Sequence, residues 1–192
     1  MGETMNVSKS KKTFVIGLSA VSGGGKTTVS KLLNRKYENS KILHFDDYDF
    51  NGPDDIVSWI EGGGDPNEWD LTPFIKDLEK LLNESPDCII LDYPFSYQHN
   101  QVQKYIDYSI FIDTPLDIAL VRRVIRDHKA SSAENIMMDM SHYISRGRRA
   151  YLSMLTTIKP TADLVVDGTL KAHELTEVIF EQLKRSIYMP SS

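Results

Sequence analysis

Three consecutive glycines followed by Lys26 and Thr27 are the residues of this sequence best suited to chemistry. Glycine lets the backbone adopt conformations that other residues avoid, so that successive N–H groups can point at one anion. A lysine directly after them can reach the β- and γ-phosphates of a nucleotide, and a threonine hydroxyl can hold Mg²⁺. The pattern predicts a nucleotide phosphate site formed by Ser22, Gly23, Gly24, Gly25, Lys26, Thr27 and Thr28.

The residues around the glycines support this prediction. An apolar run at residues 13–19 predicts a strand before the loop, and a helical pattern follows from Thr27. The N-terminus of such a helix adds free N–H groups and a positive dipole end. Ala20 stands where the pattern usually has glycine; it is small but adopts a positive φ only at a cost, and we interpret it as a tolerated variant.

Acidic residues follow two other apolar runs. Asp46 and Asp47 come at the end of a predicted strand, where a carboxylate could accept the proton of an incoming hydroxyl. They could equally terminate the strand, and spacing alone does not choose between them. Asp92 follows a strand that reads as buried, the usual position of a carboxylate that holds Mg²⁺ directly or through water. The alternative for Asp92 is a turn before Pro94.

A basic segment later in the chain predicts a lid. Arg122, Arg126 and Lys129 share one helical face, and the apolar residues expected to form the buried stripe of this helix are Ile118, Val121 and Ile125. Further arginines recur on the next predicted helix, at Arg146, Arg148 and Arg149. Two basic helices around a polar break favour a lid, about residues 122–149, that closes Arg122 and Arg126 over a triphosphate and excludes water. A solvated helix face is the simpler alternative.

The elements that must position these residues alternate between strands and helices. Strands are predicted at residues 13–19, 41–45, 88–91, 109–112 and 162–166. Helices are predicted at residues 27–37, 56–60, 71–83, 116–129, 133–155 and 170–187. This alternation predicts an α/β fold with a parallel, doubly wound sheet. Ligands of such sheets bind beyond the carboxyl ends of the strands. The acids at these ends, Asp46, Asp92 and Asp113, are therefore better candidates for a ligand site than the other acids.

Composition narrows the function further. The 192 residues, 41% hydrophobic and 26% charged, predict one domain at residues 13–192 behind a flexible polar tail at residues 1–12. A net charge of −5 argues against nucleic acid as a partner, and no run is long enough to span a membrane. The single cysteine, Cys88, cannot form an internal disulfide, and a reducing, cytoplasmic setting follows as an expectation. Whether the chain forms a homo-oligomer stays open.

With these residues placed, the chain resembles the uridine kinase, phosphoribulokinase and nicotinamide riboside kinase group of P-loop kinases from about residue 12 to 183. The most specific likeness joins the strand at residues 108–114 to the basic segment at 122–127, which is similar to the lid-entry helix of uridine kinases. In that group, arginines of this segment contact the phosphates. The resemblance implies a P-loop kinase fold, ATP and Mg²⁺ as cofactors, and a small-molecule acceptor.

The resemblance also implies roles on the acceptor side. The segment at residues 44–48 is similar to the one whose first Asp is the general base, which favours Asp46 over Asp47. Its position alone favours Asp70 as a helix cap. By resemblance, it matches an Asp that holds ribose hydroxyls in this group of kinases. Tyr97 and His99 follow the third strand, where uridine kinases recognise the base. Residues 167–169 are implied to lie near adenine.

The sequence therefore predicts an ATP-dependent kinase acting on a primary hydroxyl, with a ribonucleoside such as uridine as acceptor. Its predicted catalytic residues are Lys26, Asp46, Arg122 and Arg126. Nicotinamide riboside, pantothenate, glycerate and sugar phosphates are the alternative acceptors. A GTPase-type switch would need an Asn-Lys-x-Asp segment, which the sequence lacks. A fold that only binds nucleotide is a further alternative, against which the joint presence of Lys26, Thr27 and Asp46 speaks.

Overall fold

A computed structural model describes residues 12–188, and the predicted tail lies outside the described residues except for Lys12. Five strands form one sheet: β1 Phe14–Ser19, β2 Ser40–His44, β3 Cys88–Asp92, β4 Tyr108–Asp113 and β5 Leu164–Asp167. Their order is β2-β3-β1-β4-β5, and every neighbouring pair is parallel. The predicted parallel, doubly wound sheet is confirmed.

Helices connect the strands and cover both faces of the sheet. They are α1 Lys26–Asn34, α2 Ile56–Glu61, α3 Thr72–Asn83, α4 Asn100–Gln103, α5 Leu116–Asp127, α6 Ala133–His142, α7 Arg148–Thr157 and α8 Ala172–Tyr188. The short α4 has no counterpart among the predicted helices. Within residues 12–188, no helix combines the length and the apolar character needed to cross a membrane.

The core is divided between the two faces of the sheet. On one face, Val29 and Leu33 of α1 meet Ile179 of α8 beneath the strands. On the other face, Phe74 and Leu78 of α3 pack against residues that follow β3. All five residues of β3 are buried, which explains why its apolar run shows no alternation. Burial on both faces fixes the strand ends, and so the positions of the loops that follow them.

The lid region differs from its predicted form in two ways. The helix predicted at residues 133–155 is divided into α6 and α7 by a π-helical segment, Tyr143–Gly147. The predicted buried stripe of α5 is wrong, because Val121 and Ile125 are 57% and 65% exposed whereas Ala119 is 2% exposed. The reason is the neighbour of α5: a Cβ added to Gly23 would lie 2.0 Å from the carbonyl oxygen of Ala119. The glycine loop selects the face of α5 that is buried.

Candidate active site

The glycine loop after β1 forms a tight turn that leads directly into α1. The Gly24 N–H donates to the carbonyl oxygen of Val21 at 2.8 Å. Gly23 and Gly25 have φ values of 81° and 102°, a region that glycine adopts without strain. Ala20 is buried, and the non-glycine residues with positive φ in the described part of the chain are Ser85 and Ser96. The alanine therefore occupies its position without backbone strain.

The loop is also held from the neighbouring strand. The Thr114 hydroxyl, directly after β4, donates to the carbonyl oxygen of Gly24 at 2.9 Å, and Thr114 is buried. Gly25 ends the loop in a left-handed conformation, and α1 begins at Lys26. The free N–H groups and the positive dipole end of α1 therefore lie where an anion would sit.

A cavity of about 590 Å³ opens beside the loop, a size typical of ligand sites. On the loop side it is lined by Ala20, Val21, Ser22, Gly23, Gly25, Lys26, Thr27 and Thr28. Asp46, which follows β2, and Arg122 and Arg126 of α5 line it as well. The remaining wall comes from Pro94, Tyr151 and Met154. The structure thus brings the predicted lysine, threonines, carboxylate and lid arginines around one space.

Asp92 lies at the base of this site and holds its two key loop residues. It forms an ion pair with Lys26 and accepts a hydrogen bond from the Thr27 hydroxyl at 2.7 Å. His44 Nδ1 lies 3.0 Å from the same carboxylate, because His44 and Asp92 are register partners at the ends of β2 and β3. Burial alone would raise the pKa of Asp92, but the charge of Lys26 and these hydrogen bonds outweigh it, so its pKa is lowered.

The donor set around Thr27 fits a magnesium ion that also takes phosphate oxygens. Thr27 lines the cavity, and its Oγ1 lies 2.7 Å from Asp92 Oδ2 behind it, so that two hard oxygen donors are adjacent. The described residues contain no group of three or more His, Cys, Asp or Glu that could hold a metal ion. Mg²⁺ is commonly bound by one or two carboxylates together with substrate phosphates, and this site offers that arrangement.

The two lid arginines occupy different parts of the site. Arg122 Nη1 donates to the carbonyl oxygen of Gly168 at 2.9 Å and also lines a second cavity of about 300 Å³ that reaches Thr169 and Lys171. Arg126 pairs with Asp127, and the hydrogen bond and charge of Asp127 raise the pKa of Arg126, with a smaller contribution from the charge of Asp46. Arg122 therefore reaches toward residues 167–169, whereas Arg126 lies toward Asp46.

The three other residues predicted to bind the acceptor do not line the cavity. Asp70, two residues before α3, accepts a hydrogen bond from the N–H of Thr72, the first residue of that helix, at 3.0 Å. The Tyr97 hydroxyl donates to Asp163 at 2.5 Å, near the amino end of β4 and away from the carboxyl edge. Buried His99 lies 3.1 Å from the carbonyl oxygen of Trp69. The Tyr97 hydroxyl and His99 Nε2 both contact protein atoms, whereas His99 Nδ1 is buried without a hydrogen-bond partner in the described part of the chain. Their role in acceptor binding stays a prediction.

Four residues at the site were not predicted: His44, Pro94, Tyr151 and Met154. His44 could have been found from the register of β2 and β3, had the strand order been known. Tyr151 and Met154 carry no motif, and only the packing of α7 brings them to the cavity. The remaining basic residues of the lid region do not line it; Arg149, for example, forms an ion pair with Glu61 on α2.

Comparisons with known proteins place this geometry in context. The model of the phosphoribulokinase/uridine kinase family matches residues 35–173, a range that begins after the glycine loop. The uridine kinase of Clostridium tetani (strain Massachusetts / E88) is 21% identical over 184 residues, 82% of this chain and 88% of that protein. The uridine kinase of Streptococcus equi subsp. zooepidemicus (strain MGCS10565) is 25% identical over 185 residues, 81% and 88% of the two chains.

Among solved structures, TT1252 from Thermus thermophilus superposes with a TM-score of 0.53 at 15% identity. The match covers 92% of this chain and 99% of that one. At this level of identity the likeness concerns the fold alone, and it agrees with the parallel sheet described above.

Proposed function

This chain belongs to the phosphoribulokinase/uridine kinase family and is a kinase, and from this premise we propose that it transfers the γ-phosphate of ATP to a primary hydroxyl of a ribonucleoside. The observation that carries the proposal is the single cavity shared by Lys26, Asp46 and the two lid arginines. Phosphoryl transfer depends on positioning and on neutralising charge, and these residues supply both.

Each side chain has a distinct task in this proposal. Asp46 accepts the proton of the acceptor hydroxyl, a role that needs an accessible carboxylate facing the phosphate loop. Lys26 and the N–H groups of the loop hold the phosphates, while Arg122 and Arg126 offset the negative charge that develops during transfer. Thr27 and Asp92 would hold Mg²⁺, which would neutralise part of the phosphate charge. The second cavity, between Arg122 and Thr169, suits the nucleotide base.

The far wall of the cavity favours an uncharged acceptor. Pro94, Tyr151 and Met154 present aromatic and apolar groups there, and none of the three carries a cation. Sugar phosphates and glycerate would bind best against arginine or lysine, the usual partners of phosphate and carboxylate. The lining cations Lys26, Arg122 and Arg126 are assigned to the nucleotide phosphates. A neutral nucleoside therefore fits better than an anionic acceptor. Nicotinamide riboside, whose pyridinium ring is a cation, also lacks the negative charge that would need a basic residue here.

A panel of acceptors tests the substrate class. ADP release from ATP with Mg²⁺ would be measured with uridine, cytidine, nicotinamide riboside, pantothenate, glycerate and sugar phosphates. We expect turnover with ribonucleosides, since a neutral acceptor matches the far wall. A response restricted to sugar acids or sugar phosphates would remove the nucleoside assignment while leaving the kinase activity in place.

Replacing Lys26 tests the mechanism. Lys26→Ala removes the cation nearest the transferred phosphate, and we expect kcat to fall by at least about 10²–10³-fold, the loss usual for a removed electrostatic donor. Lys31→Ala, on the exposed side of the same helix, is the matched control and should keep full activity. Circular dichroism would verify that both variants are folded. Turnover that survives Lys26→Ala would contradict the proposed mechanism.

A further inference from the structure

The acceptor side of the cavity contains one aromatic ring whose position is coupled to the phosphate loop. We propose that Tyr151 contacts the phosphoryl acceptor through its ring, and that Arg123, Asp139 and Tyr143 position it for this contact. The inference rests on the proposed function, because it identifies the residue that the acceptor of that same site meets.

Tyr151 lies in the wall of the cavity. It lines the cavity together with its α7 neighbour Met154 and with Asp46 and Pro94, which are far from α7 in sequence. The partly buried side chain has a ring at this wall, and a flat ring offers a stacking surface to another planar group. The base of a nucleoside whose hydroxyl approaches Asp46 would find this surface opposite the phosphate loop.

A second tyrosine supports the ring of Tyr151. Tyr151 packs against Tyr143 with ring centroids 5.9 Å apart and planes inclined at 40°. Tyr143 opens the π-helical segment and is only 8% exposed, so it has little freedom to move. The guanidinium carbon of Arg123 lies 6.0 Å from the centroid of the Tyr143 ring, at the limit of a cation–π contact. The ring of Tyr151 is thus supported by a second ring that itself contacts α5.

The two tyrosine rings are connected to the phosphate loop through Arg123. Arg123 meets Asp139 of α6 through two contacts of 3.1 Å, one from each terminal nitrogen, and its side chain is 15% exposed. His128 Nε2 lies 2.9 Å from the same carboxylate. A Cβ added to Gly23 would come within 3.2 Å of Arg123 Cβ, so the base of this arginine packs directly on the loop.

These contacts therefore connect the phosphate loop with the ring proposed to contact the acceptor. Arg123 lies between Arg122 and Arg126 on α5, yet it faces inward toward Asp139 instead of the cavity. A bidentate guanidinium–carboxylate pair at low exposure is geometrically specific. It fixes α6 and the π-helical segment relative to α5, and thereby the distance between the phosphate loop and the ring of Tyr151.

Variants of Tyr151 test the acceptor contact, using the full chain and the best acceptor that the panel identifies. We expect Tyr151→Ala to raise the KM of the acceptor about tenfold or more and to leave the KM of ATP within twofold. Tyr151→Phe keeps the ring and should stay within threefold of the unmodified chain for both. Leu152→Ala, on the exposed side of α7, is the matched control and should change neither value.

Two outcomes would overturn the contact. One is an unchanged acceptor KM in Tyr151→Ala, and the other is an equal rise in both KM values. If Tyr151→Ala does not fold, Tyr151→Leu retains the bulk without the ring and is expected to show the same selective rise. The panel decides the proposed function, whereas these variants decide the inference for whichever acceptor is used, so the two can fail separately.

Asp139→Asn tests the positioning role. It weakens the hold on Arg123 and should raise the acceptor KM in the same direction as Tyr151→Ala. In the double variant the two effects should not add, because both act through one ring. A purely structural role for Asp139 would instead lower thermal stability without an acceptor-selective change in KM, and its effect would add to that of Tyr151→Ala; this result would contradict the positioning role.

Discussion

Asp46 and Asp47 are adjacent acids in one short 3₁₀ turn, Phe45–Asp47, yet they differ in what they face. Asp46 lines the cavity, and Asp47 is not among the lining residues. A general base must come within hydrogen-bond distance of the proton that it removes, so position decides between two chemically identical groups. The pair provides its own matched control.

For this pair, we expect Asp46→Asn to lower kcat by about 10²–10⁴-fold, because an amide does not accept the proton of the hydroxyl. The KM of ATP should change little. Asp47→Asn should stay within threefold of the unmodified chain in both parameters, as measured by steady-state ADP release. Comparable losses in the two variants, or a larger loss for Asp47→Asn, would refute the assignment of the base.

Replacing Asp92 should affect both activity and stability. Its side chain is 3% exposed and forms an ion pair with Lys26, the lysine of the phosphate loop. Asp92→Asn leaves the lysine cation without its partner, a change that costs roughly 3 kcal/mol or more when the pair is buried. We expect a lower urea midpoint for Asp92→Asn, together with lost activity. Asp87→Asn, outside the cavity, is the comparison that should lose no activity.

The pH dependence of stability follows from the lowered pKa of Asp92. The folded chain holds this carboxylate ionised more strongly than the unfolded chain does. Its contribution is therefore fully present above the unfolded pKa of about 3.9 and disappears as the pH falls through the lower folded value. Urea unfolding between pH 7 and pH 3 should show a smaller loss of stability for Asp92→Asn than for the unmodified chain. Parallel curves would contradict the pairing.

Single residues also show where prediction from sequence succeeds. The nucleotide-side residues Lys26, Thr27 and Arg122 belong to local patterns, and the structure places them around one cavity; their roles stay predictions. The acceptor-side role of Asp70 was predicted from the resemblance, and its hydrogen bond from the Thr72 N–H is the kind that the helix-start alternative predicts. The partner of Tyr97 is Asp163, which is distant in the sequence. A polar side chain can serve a substrate only if the fold leaves it free, and distant partners are not visible in a local pattern.

At the scale of elements, the glycine loop packs closely against α5. Gly23 combines a φ of 81° with a missing Cβ that would collide with the Ala119 carbonyl oxygen. Gly63, in the loop after α2, has a φ of 110° but nothing within 4 Å of an added Cβ. An alanine at Gly63 would therefore introduce backbone strain alone, whereas an alanine at Gly23 would introduce both backbone strain and a steric collision.

We therefore expect Gly23→Ala to lower kcat/KM for ATP by tenfold or more and to reduce the melting temperature, because loop and helix must move apart. Gly63→Ala should cost only about 1–2 kcal/mol of strain, the usual penalty for a left-handed alanine, and should retain activity. Differential scanning calorimetry with kinetics would measure both. Equal behaviour of the two variants would show that the contact with α5 does not matter.

The same contact explains why the buried face of α5 was predicted wrongly. Periodicity favoured Val121 and Ile125 as the buried residues, since they are the more hydrophobic. In the fold, α5 packs on the loop at Gly23, next to the Ala119 carbonyl oxygen and Arg123 Cβ, and Ala119 is buried there. Hydrophobic pattern assumes a side-chain core as the neighbour, and here the neighbour is backbone.

For the whole molecule, the sheet was predictable because five apolar runs alternate with helical patterns, and parallel strands need such connections. The strand order β2-β3-β1-β4-β5 was not predictable from that pattern. Order depends on which loops cross over which strands, and the interaction of His44 with Asp92 exists only because β2 lies next to β3.

Ligand binding should be visible as stability of the whole chain. With ATP and Mg²⁺ at about one hundred times the Kd, the free energy of unfolding should rise by about 2.7 kcal/mol. For a chain of this length that corresponds to a melting temperature roughly 5–10 °C higher. Lys26→Ala should abolish most of the shift, and Lys31→Ala should preserve it. A shift with other nucleoside triphosphates but none with ATP would reassign the phosphoryl donor.

The π-helical segment has a consequence for how the acceptor wall could change. A π-helical turn closes its hydrogen bonds from i to i+5, so it holds one residue more than an α-helical turn. Each residue of an α-helix advances the side-chain direction by about 100°. The direction in which α7 presents Tyr151 is therefore set by a phase offset introduced at Tyr143–Gly147. Shortening that segment by one residue would rotate the Tyr151 ring away from the cavity, although no residue that lines the cavity would have been substituted.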